Sequence, residues 1–305
     1  MALPTFICVG TEKGGTTPLA FILNQHPDIF IPPQKETHYF TRFYGREDLI
    51  FYETRYFQAH RSQRVVGELT PDYMRHPEVP QRIRDAGLAN VKLIFCLRDP
   101  VARAFSHYHQ CVRILIESES FESAIGLEKA RMAMDPFNGL RRSYIGAGVY
   151  TPQIRRFLEF FPRENMFFMI LETDFQSERD KTIASLLGFL DVQGEANLNL
   201  DVPRSSYPLP TVRFIGKGKK LVVHSPRDKA ELGEGAIFFK TGNPGSDRVI
   251  AQPSPRATEF FRKLASNLTR ELPQELAQGL YSTHYRDDIS HLEDLLGRDL
   301  THWRR

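Results

Sequence analysis

A glycine-rich loop, GTEKGGTT from Gly10 to Thr17, directly follows the apolar run Thr5–Val9 (TFICV) and opens a helical pattern over Thr16–Gln25. A strand, a glycine-rich loop and a helix in that order aim backbone N–H groups and the positive end of a helix dipole at an anion. Against the phosphate-loop pattern G-x-x-x-x-G-K-[ST], Gly10, Gly15 and Thr17 fit, but Thr16 stands where the lysine belongs. A lysine is found instead inside the loop, at Lys13. In the standard pattern the lysine reaches the outer phosphates of a nucleoside triphosphate. Moving it implies a shorter anionic group, with the positive charge beside a different bond. A plain glycine-rich turn is the competing reading of the loop taken alone.

The remainder of the chain sets the architecture around this loop. Val65–Gly67 reads as a short strand, Val91–Leu97 (VKLIFCL) as the clearest strand, and Met166–Leu171 as another. Between them run helical patterns. One spans Pro100–Leu115, with Asp99 as N-cap and Pro100 at its first position. A second repeats apolar residues through Ile154, Phe157, Leu158 and Phe161, and the tail does so through Ile289, Leu292, Leu295 and Leu296. Strands that alternate with helices predict an α/β fold with a P-loop-like, doubly wound, mainly parallel sheet. We expect one domain over residues 1–305, with a loop-rich excursion at about 203–256, where the stretch from Pro203 to Pro255 holds seven prolines and six glycines. The basic cluster GKGKK (Gly216–Lys220) lies in that excursion and reads as a cover for a phosphate or as a solvated surface run.

A second motif, LIFCLRDPVARAFSHY from Leu93 to Tyr108, places Arg98 at the carboxyl end of a strand, where open α/β sheets bind ligands. Ser106 follows about two turns into the next helix. An arginine fork and a serine hydroxyl are both donors to a phosphate. The bland readings are an ion pair for Arg98, a surface position for Ser106, and a metal-binding acid for Asp99. Two anion sites, each after a strand, suit a ligand with two separated anionic ends.

Charge and cysteine content exclude several classes. The 40 basic and 37 acidic residues leave a net charge of +3, too balanced for a nucleic-acid partner. Cys8, Cys96 and Cys111 form no C-x-x-C pair, so neither a disulfide framework nor a zinc site is expected, and no metal is assigned. Glu12 and Lys13 interrupt the N-terminal apolar stretch too early for a signal peptide, and no run reaches transmembrane length. The expectation is a cytoplasmic protein with no transmembrane anchor.

The ordered set of motifs resembles the PAPS-dependent sulfotransferases, nearest to the bacterial and heparan-sulfate-type branches. It comprises GTEKGGTT, QHPDIFIPPQKETHYF (Gln25–Phe40), GELTPDY (Gly67–Tyr73) and LRDPVARAFSHY, with SYIGAGVYTPQIRRFLEFFP (Ser143–Pro162) and the tail YRDDISHLEDLLGRDLTHW beside them. The resemblance implies that 3′-phosphoadenosine-5′-phosphosulfate (PAPS) donates a sulfuryl group to a hydroxyl-bearing acceptor; the expected cytoplasmic location favours a metabolite, a lipid or a carrier-bound natural product over a secreted polysaccharide. It gives Lys13 the sulfuryl group and bridging oxygen, and the backbone of Gly14, Gly15, Thr16 and Thr17 the 5′-phosphate. Arg98 and Ser106 take the 3′-phosphate. Glu36 matches the general base and His38 a histidine of the acceptor site. Some glycan enzymes carry lysine where Leu69 stands, so a glycosaminoglycan acceptor is not implied.

The chemistry asks for the same parts. A loose sulfuryl-transfer transition state needs positioning and charge stabilisation, which Lys13 supplies, and a base for the acceptor proton. An ordinary carboxylate is a weak base for an alcohol, so the role asks for Glu36 to be buried beside Tyr39 and Phe40. His38 is the second candidate and Glu68 the third. A P-loop kinase or NTPase and a non-catalytic PAPS binder are the rival functions.

Overall fold

The apolar run at the N-terminus forms β1, Phe6–Gly10, buried along its whole length. The computed structural model describes residues 3–192, 197–202, 209, 211–215, 220–224, 229–230, 239–240, 247–251 and 254–304. Four more strands join β1: β2 (Ile29–Phe30), β3 (Val65–Leu69), β4 (Lys92–Leu97) and β5 (Met166–Ile170), in the order β2-β3-β1-β4-β5. Every pairing in this sheet is parallel. Central parallel strands are covered on both faces and so read as continuous apolar runs, as FICVG and KLIFCL do.

The chain divides into two compact units. The first comprises residues 1–99, 149–203 and 287–303 and holds the five-stranded sheet. Helix α1 (Thr16–Leu23) packs Leu19, Ile22 and Leu23 into a core with Phe6, Cys8, Ile94, Cys96 and Met169. The helix stops two residues short of the expected Gln25, because His26 precedes Pro27 and the residue before proline avoids helical backbone. β3 runs two residues past the expected Gly67, to include Glu68 and Leu69. An acid in a buried strand is not read as strand from sequence; here it is accommodated by hydroxyl donors described below.

The second unit comprises residues 100–148, 204–286 and 304–305. Its long helix, Pro100–Arg113, carries the fully buried Arg103, whose Nη2 donates to the carbonyl of Tyr144. The Glu128 carboxylate accepts from the backbone N–H groups of Tyr144, Ile145 and Gly146 at 2.8–2.9 Å and from the Ser143 hydroxyl at 2.8 Å. That explains SYIG as a turn closed by one buried acid. Within the expected excursion, β6 (Thr211–Ile215), β7 (Lys220–His224) and β10 (Asp247–Ala251) form an antiparallel sheet, and β8 (Lys229–Ala230) pairs with β9 (Phe239–Lys240). Of GKGKK, Lys220 begins β7; residues 216–219 lie outside the described residues.

Candidate active site

Three segments of the first unit meet at the carboxyl edge of its sheet: the loop after β1, the segment 34–38 beside the end of β3, and the turn after β4. Parallel register places them there, with Cys8 opposite Leu69 and Leu97 opposite Ile170. The Leu69 N–H donates to the carbonyl of Lys35 at 2.9 Å, so residues 34–38 run beside the last residue of β3.

In the loop after β1, Gly15 has φ 97 and Lys13 φ 71, both left-handed. A Cβ on Gly14 would lie 2.1 Å from the carbonyl oxygen of Cys96, so the loop backbone presses directly on β4. Only glycine fits there. The Gly14 N–H is turned inward and donates to the Thr11 carbonyl at 3.0 Å. Among the described residues, the N–H groups of Gly15 at the N-cap and of Thr16 and Thr17 in the first turn of α1 have no helical acceptor. This cradle fits a phosphate, with Gly14 serving through its lack of a side chain. The loop is tied down by Arg75, which is ion-paired with Glu12, and by Arg98, whose Nη1 donates to the Lys13 carbonyl at 3.3 Å.

Arg98 stands just beyond β4. Its Nε is buried without a hydrogen-bond acceptor among the described residues and lies 3.9 Å from Glu172 Oε1. Glu172 is itself fixed, accepting from Asp99 N–H at 3.2 Å and from Trp303 Nε1 at 3.1 Å. The Arg98 carbonyl accepts from the Tyr150 hydroxyl at 2.8 Å. Arg98 thus keeps donor capacity at the strand end. Ser106 belongs to the second unit, half-buried on the helix Pro100–Arg113.

The segment Lys35–His38 is built by side chains from the end of β3. Thr37 N–H donates to Thr70 Oγ1 at 3.0 Å, and Thr37 Oγ1 to Glu68 Oε2 at 2.5 Å. His38 then takes a left-handed conformation, φ 53, and caps the turn Tyr39–Phe43. Its Nδ1 lies 3.2 Å from both carboxylate oxygens of Asp72, and its Nε2 lies 3.6 Å from Glu36 Oε2. Glu36 is also paired with Lys35, Nζ to Oε1, at 2.6 Å.

The burial expected for Glu36 is not there. Its side chain is 38% exposed, while Tyr39 and Phe40 turn into an aromatic cluster with Tyr44, Tyr52 and Tyr73. The glutamate buried here is Glu68, which accepts from Thr37, Thr70 and Tyr52 at 2.5 Å and from Tyr73 at 3.2 Å. Burial raises its pKa, against the lowering effect of those hydroxyls. Asp72 behaves oppositely. Burial acts to raise it, yet the hydrogen bond with His38 and the charges of Arg75, His38 and His76 prevail and hold it at about 2. His76 is pushed down to about 4, chiefly by burial and then by Arg75.

Sequence reasoning named Lys13, the glycine loop, Arg98, Glu36 and His38, and the first unit gathers these along one sheet edge. It passed over Asp72, Arg75 and Glu172. An acid in TPDY, immediately beyond a strand, was the available signal for Asp72.

A mainly parallel sheet flanked by helices, with a glycine loop after β1, defines the P-loop-like class of α/β protein. The chain belongs to the sulfotransferase domain family, whose model matches residues 3–207. Its fold is similar to that of a sulfotransferase from Alicyclobacillus acidocaldarius, with a TM-score of 0.68 and 25% identity over 100% of both chains. It is 34% identical over 167 residues to mouse heparan sulfate glucosamine 3-O-sulfotransferase 3B1, covering 55% of this chain and 41% of that protein. It is 38% identical over 123 residues to the membrane-associated sulfotransferase kil1 of Dictyostelium discoideum, covering 39% of this chain and 26% of that protein. The chain therefore spans less than half the length of either relative. Among the described residues, no helix is long and apolar enough to cross a membrane.

Proposed function

We propose that the chain moves a sulfuryl group from PAPS to an acceptor hydroxyl, releasing adenosine 3′,5′-bisphosphate. The observation that carries this is the grouping, on one sheet edge, of a phosphate cradle containing Lys13 with a half-exposed carboxylate–histidine pair, Glu36 and His38. Lys13 neutralises charge developing on the bridging oxygen as the sulfur–oxygen bond breaks. The backbone of Gly15, Thr16 and Thr17 holds the 5′-phosphate, and Glu36 takes the hydroxyl proton. Arg98, with a buried Nε in need of an acceptor, serves the 3′-phosphate; Ser106 joins it on the sequence motif alone. Leu69 puts no cation at the end of β3, which favours acceptors other than a polyanionic glycan.

Calorimetry with the bisphosphate and with AMP tests the nucleotide half of this reading. A charge-assisted hydrogen bond contributes about 1.5–3 kcal/mol. The wild type should prefer the bisphosphate strongly, and Arg98→Ala should reduce that preference by about tenfold or more. Equal affinity of the wild type for both nucleotides would sink the assignment.

A further inference from the structure

Asp72 has no part in the scheme above, yet its surroundings are those of a working group. It is buried, lies in the turn after β3, and directs both carboxylate oxygens at Nδ1 of His38, each 3.2 Å away. An ionised carboxylate only accepts, so the ring must carry its proton on Nδ1, which leaves Nε2 as the nitrogen facing Glu36. The backbone is bent to make this contact. His38 holds φ 53, which a non-glycine residue adopts only when its surroundings impose it. The Thr37 and His38 N–H groups reach Thr70 Oγ1, at 3.0 and 3.5 Å, and impose it.

We propose that Asp72 is a positioning residue that orients His38 to receive, at Nε2, the proton that Glu36 draws from the acceptor hydroxyl. The proposal rests on Glu36 being the base. As the acceptor oxygen bonds to sulfur, its O–H bond breaks and the proton passes to Glu36 Oε2. The sulfur–oxygen bond to the donor's 5′-phosphate breaks with its electron pair left on that phosphate. Glu36 then hands the proton to His38 Nε2, restoring its carboxylate, and the imidazolium faces the anionic Asp72 until water takes the proton. The present separation of 3.6 Å exceeds a hydrogen bond, and such contacts tighten in the substrate complex.

The charged groups around His38 decide which variant isolates Asp72. Glu36 and Lys35 stand on its own segment; Asp72 faces it from the turn after β3, with Arg75 and His76 beside Asp72. Asp72→Asn keeps the size of the side chain but can offer an amide N–H to Nδ1, which turns the ring's proton to Nε2, the nitrogen that must accept from Glu36.

The test is kcat for wild type, Asp72→Asn and Asp72→Glu, with the ring-nitrogen shifts of His38, bisphosphate affinity and melting temperature measured on each. We expect Asp72→Asn to lower kcat by roughly tenfold to a hundredfold, the loss typical when the hydrogen-bond partner of a metal-ligating histidine is removed. The ring proton should move from Nδ1 to Nε2 at unchanged bisphosphate affinity, and Asp72→Glu should restore part of the rate. Wild-type kcat in Asp72→Asn overturns the proposal. So does a rate loss that follows melting temperature or nucleotide affinity with the ring proton still on Nδ1. Should Asp72→Asn fail to fold, the ring nitrogen shifts of His38 in the wild type decide: protonation at Nδ1 upholds the proposal and at Nε2 overturns it. Glu36→Gln runs alongside. Undiminished turnover there refutes Glu36 as base, while the ring-nitrogen shifts in Asp72→Asn still report on His38.

Discussion

Glu36 and Glu68 lie within a few residues of the same strand end, and the protein treats them in opposite ways. Glu68 has no exposure and is surrounded by hydroxyls from Thr37, Thr70, Tyr52 and Tyr73, so every route for its proton is taken up by the fold. Glu36 is half-buried and contacts groups that can each hold or release a proton, Lys35 and His38. The two share Thr37, whose backbone sits between Glu36 and His38 while its hydroxyl serves Glu68. The lesson concerns what surrounds a carboxylate rather than how deeply it lies. A ring of hydroxyls fixes geometry; a partner that titrates permits chemistry.

The same change, glutamate to glutamine, separates the two. At Glu36 it keeps size and hydrogen bonding but removes the basic oxygen, so kcat should fall by roughly 10²–10⁴-fold. Bisphosphate affinity and melting temperature should stay near wild type, since the side chain is partly exposed and its neighbour Lys35 reaches solvent. Steady-state rates beside calorimetry would check this. Retained turnover in Glu36→Gln together with loss in His38→Ala would make the histidine the base and erase the contrast.

At Glu68 the effect should be smaller and of another kind. An amide presents two donors to a cage of four hydroxyl donors, which costs about 1–3 kcal/mol of stability. Thermal unfolding should show a melting temperature lower by several degrees, while kcat per folded molecule changes only a few-fold. A rate loss as large as that of Glu36→Gln, at unchanged stability, would move the base to Glu68.

Much of the first unit is legible in the sequence, for a reason that also marks the limit of such reading. FICVG and KLIFCL are buried on both faces, and local apolar content alone identifies them as parallel strands. The loop between β1 and α1 works through backbone, and its glycines announce positions where a side chain would strike Cys96 or demand a left-handed φ. Arg98 is found because a strand end is where ligands bind. The segment Lys35–Asp72 is different. Its geometry depends on hydrogen bonds joining residues more than thirty positions apart, Thr37 to Glu68 and Thr70, and His38 to Asp72. No local period encodes these contacts. The motif supplied Glu36 and His38, but the partner that turns the ring, and the exposure of Glu36, emerged only from the fold. Glu68 misled the strand boundary for the same reason, since an acid inside β3 makes sense only once its four hydroxyls are in place.

The central claim is that this sheet edge carries sulfuryl transfer, with Lys13 supplying the charge at the breaking bond. Its most direct test is to incubate the purified protein with sulfur-labelled PAPS, a panel of hydroxyl compounds and excess EDTA. The account predicts label in an acceptor and equimolar adenosine 3′,5′-bisphosphate, both abolished by Lys13→Ala. Magnesium-dependent hydrolysis of ATP, with no label transferred to any hydroxyl, would contradict it.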